Sequence, residues 1–197
     1  MIVRQTEIAD AEEILDIYRP YVEDTAITFE YTPPSIDEME NRIKERKGKY
    51  PFLVLEDGDR ILGYAYLSPF KERDAYNWSA ETSIYLRLDQ RRRGLGTIML
   101  EVLEEEARKM NLLSLDACIA IPRGKTEYLT LESMKFHEKK GYKTVAHFPS
   151  SGYKFGEWFD MIWMEKELGE HTSTPKDIIW YGDVKDRIYF HSFSFYS

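Results

Sequence analysis

The run Arg91-Arg92-Arg93-Gly94-Leu95-Gly96-Thr97 limits what this chain can fold into more than any other stretch. It follows an apolar, strand-like segment, Ser83-Ile84-Tyr85-Leu86, and opens a helical one from Thr97 to Ala107. Glycines let the backbone turn sharply and come close to a ligand. A helix that starts at such a turn leaves its first N–H groups unpaired and adds the positive end of its dipole. The three arginines strengthen the preference for an anion. The physical reading is a pyrophosphate cradle at a helix N-terminus; the competing one is a solvated, basic helix start. Two familiar phosphate motifs do not fit: no lysine follows the second glycine as in a P-loop, and only Gly94-x-Gly96 of a dinucleotide fingerprint is present.

Composition narrows the partners. The chain has 197 residues, 43% hydrophobic and 31% charged, which suits a soluble protein with one real core. The net charge of −8 disfavours broad nucleic-acid binding, so the basic cluster is local and suits a small anion. No apolar run approaches the roughly 20 residues of a membrane span, and Met1 to Glu7 has no signal-peptide core. The single cysteine, Cys118, excludes an internal disulfide, and together these features predict a cytoplasmic protein. Cys118 lies in an apolar run and reads as a buried packing residue. No His/Cys/Asp cluster has metal-ligand spacing, so no metal is predicted.

The order of elements follows from periodicity and punctuation. Ile2 to Arg4 reads as a strand. Asp10-Ala11-Glu12-Glu13 reads as a capping box before a helix with Ile14, Ile17, Tyr18, Tyr21 and Val22 on one face. Ser35-Ile36-Asp37-Glu38 opens a second helix that ends near Gly48. Phe52–Leu55 and Ile61–Leu67 form a hairpin about Glu56-Asp57-Gly58-Asp59, followed by a strand at 79–86. After the helix from Gly94 to Met110 come a buried strand, Leu112–Ile119, and a helix over Leu129–Lys140 stopped by Gly141. Val145–Phe148 and Trp158–Met164 read as the last strands, with Ser150-Ser151-Gly152 between them. This predicts an α+β (α/β) sheet protein with one parallel crossover around the helix after Gly96.

Order and motifs together resemble the GNAT superfamily of N-acetyltransferases over residues 1–167. The segment Lys71-Glu72-Arg73-Asp74-Ala75-Tyr76-Asn77-Trp78-Ser79-Ala80-Glu81-Thr82-Ser83-Ile84-Tyr85 is similar to the K-x-R-x-A-Y-x-W-[ST]-A-E-x-[ST]-[IV]-Y core of the phosphinothricin/methionine sulfoximine N-acetyltransferases. Phe136-His137-Glu138-Lys139-Lys140-Gly141-Tyr142 resembles their L-H-E-x-x-G-[YF]. Gly152-Tyr153-Lys154-Phe155-Gly156-Glu157-Trp158-Phe159-Asp160 resembles their G-Y-K-x-G-x-W-x-D. The resemblance implies the GNAT fold, a central mixed, mostly antiparallel sheet flanked by helices. It also implies acetyl-CoA as cosubstrate, a small-molecule amine as acceptor and a homodimer. Its cofactor contacts fall on Ile84, Tyr85 and Leu86, on Arg91, Arg92, Arg93, Gly94, Leu95, Gly96 and Thr97, and on Ser133 and His137. Leu129-Thr130-Leu131-Glu132-Ser133 departs from many relatives, which carry an Asn shortly before that Ser.

Acetyl transfer to an amine needs a base, because amino-acid amines are largely protonated near neutral pH. Glu81 sits among apolar and small residues, where desolvation raises a carboxyl pKa and suits it to the task, directly or through a water. The resemblance gives the Glu of W-[ST]-A-E that role; a solvent-facing strand carboxylate is the alternative. A backbone N–H at Ile84–Leu86 would meet the oxyanion. His137 stands where many GNAT members place a tyrosine, and it reads either as the proton donor to the leaving thiolate or as a structural helix histidine. Lys71, Arg73, Tyr76 and Trp78 form a loop that the resemblance makes the amino-acid pocket, at a dimer interface; the alternative is an exposed loop. The function so predicted is acetylation of a small amino acid or analogue, phosphinothricin-like. Another primary amine (a polyamine or a protein N-terminus), or a non-catalytic acyl-CoA sensor, are the other readings. Residues 168–197 lie outside the resemblance. Ile178–Tyr181 and Arg187–Tyr196 read as a strand pair about Gly182-Asp183, too aromatic to be disordered and docked on the body or on a second subunit.

Overall fold

The chain runs β1 (Ile2–Gln5), α1 (Ala11–Asp24), α2 (Ile36–Arg46), β2 (Phe52–Asp57), β3 (Arg60–Pro69), β4 (Ser79–Leu86), α3 (Leu95–Lys109), β5 (Ser114–Pro122), α4 (Glu132–Lys139), β6 (Lys143–Lys154) and β7 (Glu157–Glu167). The computed structural model describes residues 1–184. The strands form one sheet in the order β1-β2-β3-β4-β5-β7-β6. Every pairing is antiparallel except β4 with β5, which α3 joins as the expected crossover. Period-two alternation splits the strand residues between two cores. Leu53, Leu67, Ala80, Leu115 and Met164 pack under α3. Phe52, Val54 and Tyr64 pack under α1 and α2 on the opposite face. Among the described residues, no helix is long and apolar enough to cross a membrane.

Four local readings are corrected. Asp10 does not cap α1; its carboxylate accepts from the Arg4 guanidinium at 2.8 and 2.9 Å and from the Glu7 N–H at 2.7 Å, one turn earlier. Ser35, by contrast, caps α2 as expected, accepting from the Glu38 N–H at 3.2 Å. The last hairpin does not turn at Ser150-Ser151-Gly152. That stretch is an irregularity within β6, where the Ser150 N–H donates to Asp160 at 2.8 Å. The turn is Phe155-Gly156, at φ 53° and 78°. Helix α4 begins at Glu132, leaving Leu129–Leu131 as loop.

The fourth correction concerns the tail. Ile178–Tyr181 is not a strand; a single helical turn spans Tyr181–Asp183. Residues 168–184 nonetheless dock on the body. The Ile179 N–H donates to Met110 O at 3.0 Å and the Gly182 N–H to Gly48 O at 2.7 Å. Tyr181 is 1% exposed. Residues 187–196 of the expected strand pair lie outside the described residues.

Candidate active site

Strands β4 and β5 pair only from Ser79–Ser114 to Glu81–Asp116, then part. A cavity of about 380 Å³ fills the fork. Thr82–Leu86 of β4 and Ala117–Ala120 of β5 form two of its walls, the start of α3 a third, and Ser133, Phe136 and His137 of α4 a fourth. The split also decides which backbone groups face the cavity. Arg87 N–H donates to Leu62 O on the β3 side. Both polar groups of the residue before it point the other way: Leu86 O accepts from the Tyr21 hydroxyl at 2.7 Å, and Leu86 N lies 3.2 Å from it. In an antiparallel strand this direction alternates, so Ile84 presents its N–H and C=O to the fork. Tyr21 occupies the Leu86 groups, which narrows the expected backbone contact to Ile84. Tyr85 turns to the opposite core, its ring 5.1 Å from those of Tyr18, Tyr21 and Tyr64.

The glycine turn into α3 takes the shape its sequence required. Gly94 holds φ 79° and starts α3 without a side-chain cap. The first intrahelical bond is Ile98 N–H to Gly94 O, so the N–H groups of Leu95, Gly96 and Thr97 precede it. All three residues line the cavity. The arginines divide. Arg91 lies over the Tyr21 ring at 5.1 Å and lines the cavity. Arg92 lines it too and pairs with Glu132 at the start of α4. Arg93 turns away to Gln90.

The Acetyltransferase (GNAT) domain family matches residues 3–163. The chain belongs to the GNAT acetyltransferase family. It is 28% identical to the phosphinothricin N-acetyltransferase of Streptomyces viridochromogenes, over 89% of this chain and 92% of the relative. It is 31% identical to the L-methionine sulfoximine/L-methionine sulfone acetyltransferase of Pseudomonas aeruginosa, over 88% and 98%. A crystal structure of a GNAT superfamily phosphinothricin acetyltransferase from Sinorhizobium meliloti, in complex with acetyl-CoA, superposes with a TM-score of 0.81 at 32% identity, over 92% of this chain and 96% of that one.

Within this GNAT acetyltransferase, Glu81 stands on the last paired rung, at the floor of the fork. Burial raises its carboxyl above the ordinary range, against the fields of Lys71 and Arg46. Of the expected substrate loop, the structure brings only Lys71 toward it. The Lys71 ammonium lies 5.0 Å from the Phe70 ring and 5.2 Å from that of Trp163. Arg73 and Tyr76 are exposed and do not line the fork cavity. Trp78 points to the tail, its indole N–H donating to Lys176 O at 2.9 Å.

His137 lies against the cavity, 8% exposed, with Nδ1 2.9 Å from Ser133 O. A carbonyl can only accept, so Nδ1 carries the proton and a neutral ring leaves Nε2 as an acceptor. Burial lowers the His137 pKa, which favours that neutral form. Donation to a thiolate would require the imidazolium. Ser133 contributes its carbonyl to this bond and lines the cavity.

Cys118 is corrected: it is exposed, with Sγ 2.9 Å from Met161 Sδ, and borders the fork. Its neighbours on β5 alternate, and Cys118 falls on the face that α1 and α2 leave uncovered. Sequence reasoning also passed over Tyr21 and Asp116. A lone Asp inside the apolar run Leu112–Ile119 was the visible signal for the second. Among the described residues, no group of His, Cys, Asp or Glu is arranged to hold a metal ion.

Proposed function

We propose that this enzyme transfers an acetyl group from acetyl-CoA to the amine of a small amino acid or amino-acid analogue, with Glu81 as general base. One observation carries the reading: where β4 and β5 part, an uncapped helix start lines the cavity that opens, and a carboxylate stands on the last paired rung beside it. The N–H groups of Leu95, Gly96 and Thr97 suit a pyrophosphate, aided by Arg91 and Arg92. Ile84 offers an N–H and a C=O to the amide-bearing arm. At the floor, Glu81 takes a proton from the substrate ammonium. The freed amine forms its bond to the acetyl carbon as the carbon–sulfur bond breaks and the thiolate leaves. A sensor that only binds acyl-CoA would have no use for a half-buried carboxylate at the fork.

The amino-acid reading rests on the relatives named above, which act on phosphinothricin and methionine sulfoximine by their names. A panel of acceptors tests it, with CoA thiol release as the readout. Amino-acid analogues such as these two are expected to outrun a polyamine and an N-terminal peptide. Faster release with the polyamine or the peptide reassigns the acceptor.

The homodimer belongs to the same proposal. Strand β6 is one free edge of the sheet, β1 being the other. Its hairpin exposes Val145 (55%), Phe148 (46%), Tyr153 (47%) and Trp158 (55%). A long edge strand with apolar side chains is a template for a second copy.

A further inference from the structure

The rung that closes the parallel ladder carries two carboxylates. Ser79 pairs with Ser114, and their hydroxyls meet at 2.8 Å, so these side chains leave the same face. Two residues further along each strand, Glu81 and Asp116 leave that face side by side. On the other side of Asp116, in register on β7, stands Glu165. Neighbouring strands lie about 4.8 Å apart, so three acidic side chains stand abreast. Asp116 is the middle one and is 3% exposed. Among the described residues, neither Glu81 nor Asp116 makes a hydrogen bond or ion pair with another side chain.

Two carboxylates at this spacing and this depth cannot both ionise cheaply; one charge raises the proton affinity of the other. The other charged and titratable groups do not remove the conflict. From the loop after β3, the exposed Lys71 acts on both acids through water-screened space. Arg46, at the end of α2, acts on Glu81 alone. Glu165 from β7 adds a like charge. Burial first, then Glu104 and Asp116, raise Tyr142, just before β6; burial first, then Glu81, raise Cys118, two residues along β5.

We propose that Glu81 and Asp116 share one proton across this rung, Asp116 holding it while Glu81 acts on the substrate. Asp116 is thus a positioning residue. Its protonated carboxyl can donate to Glu81, which keeps Glu81 ionised and aimed into the fork. When Glu81 accepts the proton of the ammonium, the pair carries two protons, and one returns to water through the cavity mouth. This inference rests on the assignment of Glu81 as base.

The electrostatics agree with the geometry. Burial first, then Glu165 and Glu81, push Asp116 up to about 7. The folded value exceeds the unfolded one of 3.8. The group's stabilising contribution is therefore complete below the unfolded value and is lost as pH rises through about 7. Asn at this position keeps the shape and has no charge to lose. Asp116→Asn is expected to melt higher than wild type above that midpoint, with the gain vanishing toward pH 3.8.

The deciding experiment follows the Asp116 carboxyl carbon by NMR against pH in the full-length protein, its resonance identified by loss in Asp116→Asn. A midpoint near 7 in wild type is expected. In Glu81→Gln it should fall by about one unit or more, the scale of a coupled pair. A wild-type midpoint near the ordinary value of about 3.9 overturns the proposal. So does a midpoint that stays put in Glu81→Gln. Neither readout needs turnover. If the pair titrates as described but Glu81→Gln acetylates at the wild-type rate, the base assignment fails and the shared proton stands.

Discussion

On the proposed reading, a single residue sets how closely a pyrophosphate approaches the start of α3. Gly96 lines the fork, and a Cβ placed on it would lie 3.6 Å from the Phe136 ring and 3.8 Å from Leu86. These are ordinary contacts, so a side chain there does not clash with the protein; it takes up cavity space instead. Gly96→Val is expected to fold and to raise the KM for acetyl-CoA at least several-fold more than that for the amine. Equal effects on both would separate this residue from the cosubstrate site. Gly94 differs, since its φ of 79° penalises any side chain by about 1–2 kcal/mol. At this scale the local geometry was largely legible. A glycine turn between an apolar strand and a helix states its chemistry locally, and Glu81 is a charge in apolar company. The lone Asp116 was visible in its apolar run, but its pairing with Glu81 was not legible, because the two lie 35 residues apart across a parallel rung and register between distant strands leaves no local pattern.

Elements hold the fork open, and the tail braces its base. The carbonyl of Lys176 takes the Trp78 indole N–H at 2.9 Å, one residue before β4 begins. Asn111 Nδ2 donates to Asp177 O at 2.8 Å, and the Tyr181 N–H donates to Lys49 O at 3.2 Å. The tail thus ties the start of β4, the end of α3 and the α2–β2 loop together. Tyr181→Ala is expected to destabilise by about 3 kcal/mol, the scale of an aromatic removed from a core. Truncation after Glu167 should lower Tm further. An unchanged Tm in the truncated protein would make the tail an appendage. Trp180 and Tyr181 signalled that its described part packs. Where it packs depends on backbone bonds to Met110, Lys49 and Gly48, which no side-chain pattern encodes. The last hairpin was misplaced for a related reason: Ser-Ser-Gly resembles a turn, whereas Phe155-Gly156 lacks the Asn or Asp that usually marks two positive φ values.

The whole molecule is an antiparallel sheet broken by one parallel pair, and its site exists because that pair diverges. Alternation, crossover and family motifs made this architecture readable from the chain. Contacts beyond one chain were not readable. The exposed apolar hairpin of β6 and β7 predicts a mass of two chains by light scattering, and Phe148→Glu with Trp158→Glu should shift it toward one. A single-chain mass in wild type would show that this edge is not an interface. The account as a whole turns on a carboxylate that deprotonates the acceptor at the floor of the fork. Its most direct test is kcat/KM for an amino-acid analogue across pH, in wild type and Glu81→Gln. A loss of about 10²-fold or more near neutral pH, shrinking as pH rises and the amine sheds its own proton, is the predicted result. Wild-type turnover in Glu81→Gln at neutral pH would contradict it.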